Sequence, residues 1–484
     1  TDTTLHIIGF TITASDGGWT NDNGNTNGAI VRVMPEYIEP DSYDDDVFSG
    51  DYTSGVTFKN CVFTMFDSGD LEAESDLKDA VVYINYGDVV FDNCTFTNIS
   101  VGGDGWEGAN GTGLSAAAIK VGRVNDSNSM GLGSTLRVNR STFTNNTIKS
   151  DNEGTYIYGG VMGVGPSINH NVQLINTIMA DNLVDFQHNS NFAPPSGGAL
   201  EIRGGNVSII NSTIVNNELK TAGSQAGLGS AIHIKDGHNS GSDDGNEPLV
   251  TIFNSIVHGN STTTNTGSSV AEQIHISDYN DGVEHYFSYS LIQGDDDFDG
   301  DDIIHADPGF IDTVTYALHP RSFAIGAGSD VSEDANGDDI FAPVIDFAGN
   351  TRPNPAGSNP DVGAWENSLA VTPYPDSPTD LFATEDNQSV LLLWSTPDAR
   401  DVVQYRIYYS DESDSTNFTL VDSTAGLYST EGTVTGLTND NRYWFYVTSV
   451  DTAGYESSPS IQIVAEPRYL GPVWYVDTEN GSGS

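Results

Sequence analysis

GGALEIRGGNVSIINSTIVNN, from Gly197 to Asn217, reads as two short β-segments joined through glycine, and the chain repeats this pattern many times. The first segment is small–small–apolar–x–apolar. It returns as GAIVRV (Gly28 to Val33), DAVVYI (Asp79 to Ile84), AAAIKV (Ala116 to Val121), GGVMGV (Gly159 to Val164), GSAIHI (Gly229 to Ile234) and, more weakly, EQIHI (Glu272 to Ile276). The second returns as VTFKNCVFT, VVFDNCTFTN, LRVNRSTFTNN, VQLINTIMADN and VTIFNSIVHGN. Its anchors are Asn60, Asn93, Arg140, Asn176, Asn211 and Asn254, separated by 33, 47, 36, 35 and 43 residues. Such uneven spacing excludes a rigid short-period solenoid. It fits a coil of roughly two dozen residues with loops inserted into some turns.

Alternating apolar positions make each segment a short strand. One coil cannot bury its apolar side alone, whereas stacked coils pair strand on strand and form a continuous core. The predicted fold is therefore all-β, a right-handed parallel β-helix. A propeller is the rival, but it needs four strands per blade, and only two or three per unit are legible. Stacking also sets Asn over Asn at the anchors, where amides can bond along a ladder. Arg140 interrupts that ladder and predicts a locally different turn.

Composition agrees. The 484 residues allow two or three domains. Gly is abundant, and no long amphipathic helical pattern occurs. There are 17 Lys+Arg against 68 Asp+Glu, a net charge of −51. This excludes nucleic acid and acidic membranes as partners, since both need clustered positive charge. It suits calcium, which takes carboxylate oxygens. Two cysteines make no disulfide scaffold. No stretch approaches the ~20 apolar residues of a membrane span. The chain opens directly in LHIIGFTIT (Leu5 to Thr13) without a leader, so the natural N-terminus is expected further upstream.

From Ala306 the repeat gives way to ADPGF (Ala306 to Phe310), YALHPRSFAIGAGS (Tyr316 to Ser329), DFAGNTRP (Asp346 to Pro353) and NPDVGAWE (Asn359 to Glu366). This string resembles the C-terminal part of bacterial β-helix proteins with a choice-of-anchor Q domain, relatives of the polymorphic outer-membrane-type repeat proteins. The resemblance covers residues 1 to about 368. It implies a β-helix over 1–370 in which about 306–368 closes the last coils.

TPYPDSP (Thr372 to Pro378) reads as a linker stiffened by Pro. Beyond it come LFATEDNQSVLLLW, YRIYYS, TVTGL, RYWFYVTSVDTAGYES and SPSIQIV. These segments resemble a fibronectin type III domain, placed at 371–467. The resemblance implies a buried Trp394, a following strand with Tyr405 and Tyr408, and a tyrosine corner of Leu437 and Tyr443. The corner's usual Pro is missing, and no RGD triplet occurs. The last stretch, 468–484, ends in GPVWYVDTENGSGS. It resembles a linker and the opening of a further β-helix unit.

Three constellations suggest chemistry. DDDFDGDD (Asp295 to Asp302) has the first half of a calcium loop, with Asp295, Asp297, Asp299 and Asp301 as ligands and Gly300 for the turn. The closing Glu of an EF-hand is absent, with Ala306 at that position and Asp307 beside it. DANGDD offers Asp334, Asn336 and Asp338 at the same alternate spacing. A solvated acidic loop is the competing reading of both, and the reading of the acidic run Asp44, Asp45 and Asp46.

The third is a column. The central polar positions of the first segment, Arg32, Tyr83, Lys120, Met162, Glu201, His233 and His275, are expected to point outward. They form a candidate ligand-binding face for polysaccharide, and His233, His275 and Glu201 together suit a transition metal. The competing reading is an ordinary solvated sheet face.

Parallel β-helices include polysaccharide lyases and glycoside hydrolases, but those need paired acids on adjacent coils or a calcium-assisted base. Neither such pairs nor a GxSxG elbow occurs. The sequence thus favours an extracellular, calcium-stabilised structural or adhesive module of a large bacterial surface or secreted protein. Its partners would be polysaccharide, other cell-surface components, or further copies in self-association or a tandem array. The alternative is a polysaccharide lyase or glycoside hydrolase with an accessory fibronectin type III domain. One feature tests the register: FKNCVFT superposes on FDNCTFT, so Cys61 and Cys94 should stack one coil apart, with a free thiol pair preferred over a strained bond.

Overall fold

The protein, obtained as a computed structural model, is described for residues 5–12, 31–33, 55–64, 80–84, 87–102, 113–122, 133–150, 156–167, 169–187, 195–222, 227–235, 247–265, 267–269, 272–277, 283–294, 298–320, 322–370, 375–397, 402–411, 418–451, 455–469 and 471. Among these residues all regular structure is β. The chain divides into two compact units, 1–372 and 373–484.

The first unit is a parallel β-helix. Each full coil contains at least four strands, more than the sequence disclosed, and in two coils a fifth, Gly113–Ser115 paired with Tyr156–Tyr158. In one coil they are Asn171–Ile175, Ile178–Ala180, Leu183–Phe186 and Leu200–Ile202, after which Asn206–Ile210 opens the next. Equivalent strands stack into sheets of nine, eight, six and seven strands. Val172 lies over Val207 and Val250, and Leu174 over Ile209 and Ile252. All six of these side chains are buried, so one coil's inward row continues the last.

The corners explain the repeated Asn. Asn60, Asn93, Asn176, Asn211 and Asn254 all have φ between 44° and 55°. That left-handed region is costly for most residues and cheapest for Gly and Asn. Arg140 adopts the same turn, φ 48°, which corrects the expectation of a different one. Its guanidinium instead reaches back to Asp92 at 2.7 Å, where Lys59 also binds at 3.2 Å. Burial alone would raise the Asp92 carboxyl, but these two cations hold it below its ordinary value.

The stronger amide ladder lies one corner later. Asn146, Asn182, Asn217 and Asn260 are buried, and each Nδ2 donates to the next amide at 2.8–2.9 Å, the last to Gln273 Oε1. A third corner precedes the small–small motif. A Cβ on Gly160 would collide with the Gly198 carbonyl, and one on Gly198 with the Ser230 carbonyl. Small residues there let successive backbones approach.

Like stacks on like inside the coils. Phe63, Phe96 and Phe143 stack at centroid distances of 4.4 and 4.6 Å, nearly parallel. Lys59 pairs with Asp92 and Val62 with Thr95, so Cys61 and Cys94 share one site in consecutive coils as the register required. Both are buried and free. Burial pushes the Cys94 thiol up to about 12.

Residues 306–369 do more than close the last coils. They run as a strap along the flank. Tyr316, Leu318, Ala324, Ile325, Val362 and Ala364 pack with Ile178, Ala180, Val215, Ile256 and Leu291 of successive coils. The corner amides facing the strap bind its backbone: Asn176 to Ile345, Asn211 to Asp361 and Asn254 to Ser329.

The second unit is a two-sheet sandwich. Thr379–Asp386, Ser389–Ser395 and Glu431–Thr435 form one sheet. Thr419–Ala425, Val402–Ser410, Tyr443–Asp451 and Ile463–Ala465 form the other. Trp394 is buried and packs edge-on to Tyr405 at 5.4 Å. The Thr438 amide donates to the Tyr443 hydroxyl at 3.0 Å, so the tyrosine corner forms without the usual Pro.

Candidate functional site

The column proposed from sequence exists in register. Arg32 pairs with Tyr83, Tyr83 with Lys120, Lys120 with Gly163, Gly163 with Glu201, Glu201 with His233, and His233 with His275. One member needs correction. Met162 stacks between Ile119 and Leu200 in the core, and Gly163 occupies the column. The repeat GGVMGV superposes on AAAIKV without a gap, so this could have been read from the sequence. The backbone of Arg32 is described, but its side chain lies outside the described residues.

Exposure along the column is uneven. Lys120 is partly exposed, with its ammonium 5.3 Å from the centre of the Tyr83 ring, a cation–π contact. Tyr83 itself is mostly covered. Glu201 is 0% and His233 3% exposed, contrary to the outward-facing expectation. Just before the strand Leu200–Ile202, Ser196 Oγ donates to Glu201 Oε2 at 2.8 Å. Such burial needs partners, and His233 Nδ1 sits 2.7 Å from the same oxygen. Burial alone would raise the Glu201 carboxyl. The charge and hydrogen bond of His233, with Arg203 and Ser196 added, hold it below the usual carboxylate range.

His233 Nε2 lies 2.9 Å from Ser277 Oγ. Ser277 is a residue the sequence reading missed. The signal available was its position two residues after His275, which puts it on the same strand face. His275 stands beside His233 with ring centroids 5.5 Å apart, and Glu272 binds its Nδ1 at 2.6 Å. The two imidazoles thus each have their own carboxylate. Among the described residues no three His, Cys, Asp or Glu side chains converge as a metal site.

Of the first acidic loop, Asp295 and Asp297 lie outside the described residues. Asp299 and Asp301 flank Gly300 at the end of the stack, where Gly300 pairs with Phe287 and Asp301 with Ser288. The Asp301 carboxylate accepts the Tyr286 hydroxyl at 2.7 Å. That bond, with some burial, pushes the phenol up to about 12. In the second loop Asp334 Oδ1 accepts the amides of Asn336 and Asp338 at 2.8 and 3.0 Å. It closes the turn between the strands Val331–Glu333 and Asp339–Phe341, an Asx-type turn.

The carboxylates that the structure does gather belong to the strap. Arg352 and Glu366, both with fully buried side chains, pair at 2.8 Å. Arg352 also binds the coil, donating to Asn176 Oδ1 at 2.7 Å. Asp346 and Asp361 are buried beside them. Asp361 accepts the amides of Gly326 and Asn367 at 2.7 and 2.5 Å. Burial first, and the Glu366 charge second, push its carboxyl up to about 7. These are the charged residues of DFAGNTRP and NPDVGAWE, which fixes the role of both motifs as an internal clamp.

The fibronectin type III family model matches residues 376–466. Among curated proteins none matches this chain. Solved structures that resemble it include an Fn3-like protein from Clostridium thermocellum, 24% identical, covering 20% of this chain and 98% of that one, TM-score 0.17. Domains A168–A170 of titin are 22% identical over 19% of this chain and 32% of that one, TM-score 0.16. A β-1,2-glucanase from Parabacteroides distasonis is 24% identical over 23% of this chain and 15% of that one, TM-score 0.18. The family match makes the sandwich a fibronectin type III domain, a module common in extracellular and surface proteins. Among the described residues no helix is long and apolar enough to cross a membrane.

Proposed function

We propose that the chain is a structural and adhesive segment of a modular bacterial surface or secreted protein, in which the β-helix flank binds polysaccharide. The column carries this reading. It presents the partly exposed Lys120, its ammonium held over the buried Tyr83 ring, in register with Arg32. In a chain of net charge −51, such a strip is the place where an anionic sugar polymer would be tolerated. The choice-of-anchor Q resemblance supports the same context, as does the fibronectin type III module. The test is native gel electrophoresis of the full chain through polygalacturonate or alginate. Retardation is expected, weakened at least fivefold in Lys120→Ala. No retardation, or retardation unchanged in Lys120→Ala, contradicts the reading.

Calcium is the proposed stabiliser, bound by the Asp295–Asp301 loop where the stack ends, with Asp334–Asp338 as a weaker second place. Millimolar calcium should raise the melting temperature of the β-helix, and chelator should reverse it. A melt indifferent to both removes calcium from the account.

A further inference from the structure

We propose that Ser277 is a nucleophile activated by His233 and Glu201, and that this flank of the β-helix transfers acyl groups from short, uncharged esters. The proposal goes beyond the binding role and does not depend on it.

The three residues come from three successive coils. Glu201 is the centre of Leu200–Ile202, His233 lies in Ile232–Lys235, and Ser277 ends Ile274–Ser277. Parallel pairing puts His233 between Glu201 and His275. Ser277, two residues beyond His275, shares its face and reaches the far nitrogen of the ring. The contacts run Ser277 Oγ to His233 Nε2 at 2.9 Å and His233 Nδ1 to Glu201 Oε2 at 2.7 Å. This is the order nucleophile, base, acid. Such triads recur on unrelated folds and are recognised by geometry rather than by motif, so the missing GxSxG does not count against one.

Proton positions follow from the acid. An ionised carboxylate only accepts, so Ser196 Oγ–H and His233 Nδ1–H both donate to Oε2. That fixes the imidazole tautomer, leaving the lone pair on Nε2 to accept from Ser277 Oγ–H. Burial grades in the required direction. Glu201 and His233 are buried, while Ser277 is partly exposed. Water is kept from the acid and base. A further observation separates this trio from an ordinary polar ladder. Glu201 Oε1 is buried with no hydrogen-bond partner among the described residues. A purely structural carboxylate would be expected to satisfy both oxygens. Arg203 and His233 supply compensating charge, but Oε1 keeps an acceptor site open, as suits a carboxylate that must also stabilise a transient imidazolium.

The chemistry balances without a cofactor. Ser277 Oγ attacks the ester carbonyl carbon as its proton passes to Nε2. The C–O bond to the alcohol breaks, and the alcohol leaves with that proton. Water then gives a proton to Nε2 and its oxygen to the acyl carbon. The acid departs, and the proton returns to Oγ. The net charge of −51 repels anionic acyl groups, so an uncharged acetyl-type ester is the class assigned.

The test uses the full chain with a fluorophosphonate probe and p-nitrophenyl acetate. The expected result is one phosphonylated serine, located at Ser277 by peptide mass spectrometry, with turnover of the acetate ester. Ser277→Ala should abolish both while keeping the wild-type melting curve, which separates lost chemistry from lost fold. His233→Gln and the near-isosteric Glu201→Gln should each slow labelling at least 100-fold. No adduct at Ser277, or an adduct formed at the wild-type rate in a folded His233→Gln or Glu201→Gln variant, overturns the proposal.

Discussion

Two clusters of buried charge among the described residues of the β-helix behave differently. Under the strap, Arg352 is closed in by Glu366, Asp346 and Asp361, and its remaining donors go to Asn176 of a coil and the Gly363 carbonyl. In the column, buried Glu201 and His233 pass their hydrogen bonds outward to a partly exposed serine. The first cluster points inward from both sides and joins two parts of the fold. The second opens toward solvent. Burial of charge alone says nothing about function; the direction in which the hydrogen-bond chain runs does.

The largest expected effect breaks the inward cluster. Arg352→Met leaves Glu366 buried without its cation and removes the bond to Asn176. It should cost about 3–5 kcal/mol in unfolding free energy by denaturant melt. A cost under about 1 kcal/mol would mean the strap is held by its apolar contacts alone.

Protonation sharpens the same cluster. Asp361 folds with its carboxyl near 7, above its unfolded value, so the folded state holds a proton that the unfolded chain releases. Its contribution is full below about pH 4, declines as pH rises, and is lost above about 7. The size is up to about 4 kcal/mol. His170, buried elsewhere in the β-helix where its Nδ1 accepts the Ser134 amide at 3.1 Å, acts oppositely: burial pulls it down to about 4, so its contribution is lost as pH falls from about 6.5 toward 4. The informative quantity is therefore a difference. Wild type minus Asp361→Asn stability should fall between pH 4 and 7, and a flat difference removes Asp361 from the account.

A smaller effect is expected in the amide ladder. Asn182→Ala strands the Asn146 and Asn217 amides that it bridges. It should cost about 2–3 kcal/mol, and a neutral melt would show that water replaces the bridge. The smallest belongs to the column. Ser277→Ala should change stability by less than about 0.5 kcal/mol, although it abolishes labelling.

What was legible in the sequence follows the same division. Repeats reveal whatever recurs in every coil. The Asn corners, the small–small step and the Cys61 over Cys94 register all recur, and all are readable. The Arg140 turn was misjudged because side-chain chemistry was taken for backbone conformation. The strap was placed but its course was not, since DFAGNTRP and NPDVGAWE carry no periodicity that could tell closing an end from lying along a flank. The column's residues were named, yet their burial was not foreseen. Alternation assigns Glu201 and His233 to the outer face of the sheet, and it cannot foresee a tertiary contact such as that of Ser196 with Glu201. Ser277 stands outside the five-residue motif and was passed over.

Hydrogen exchange of Arg352→Met against wild type, resolved to peptides, tests most directly whether strap and column are separate devices on one solenoid. Faster exchange is expected across 306–369 and at the corners of Asn176, Asn211 and Asn254, with unchanged protection in 200–202 and 232–235. Uniform loss of protection through the β-helix, reaching the column strands as strongly as the strap, would contradict it.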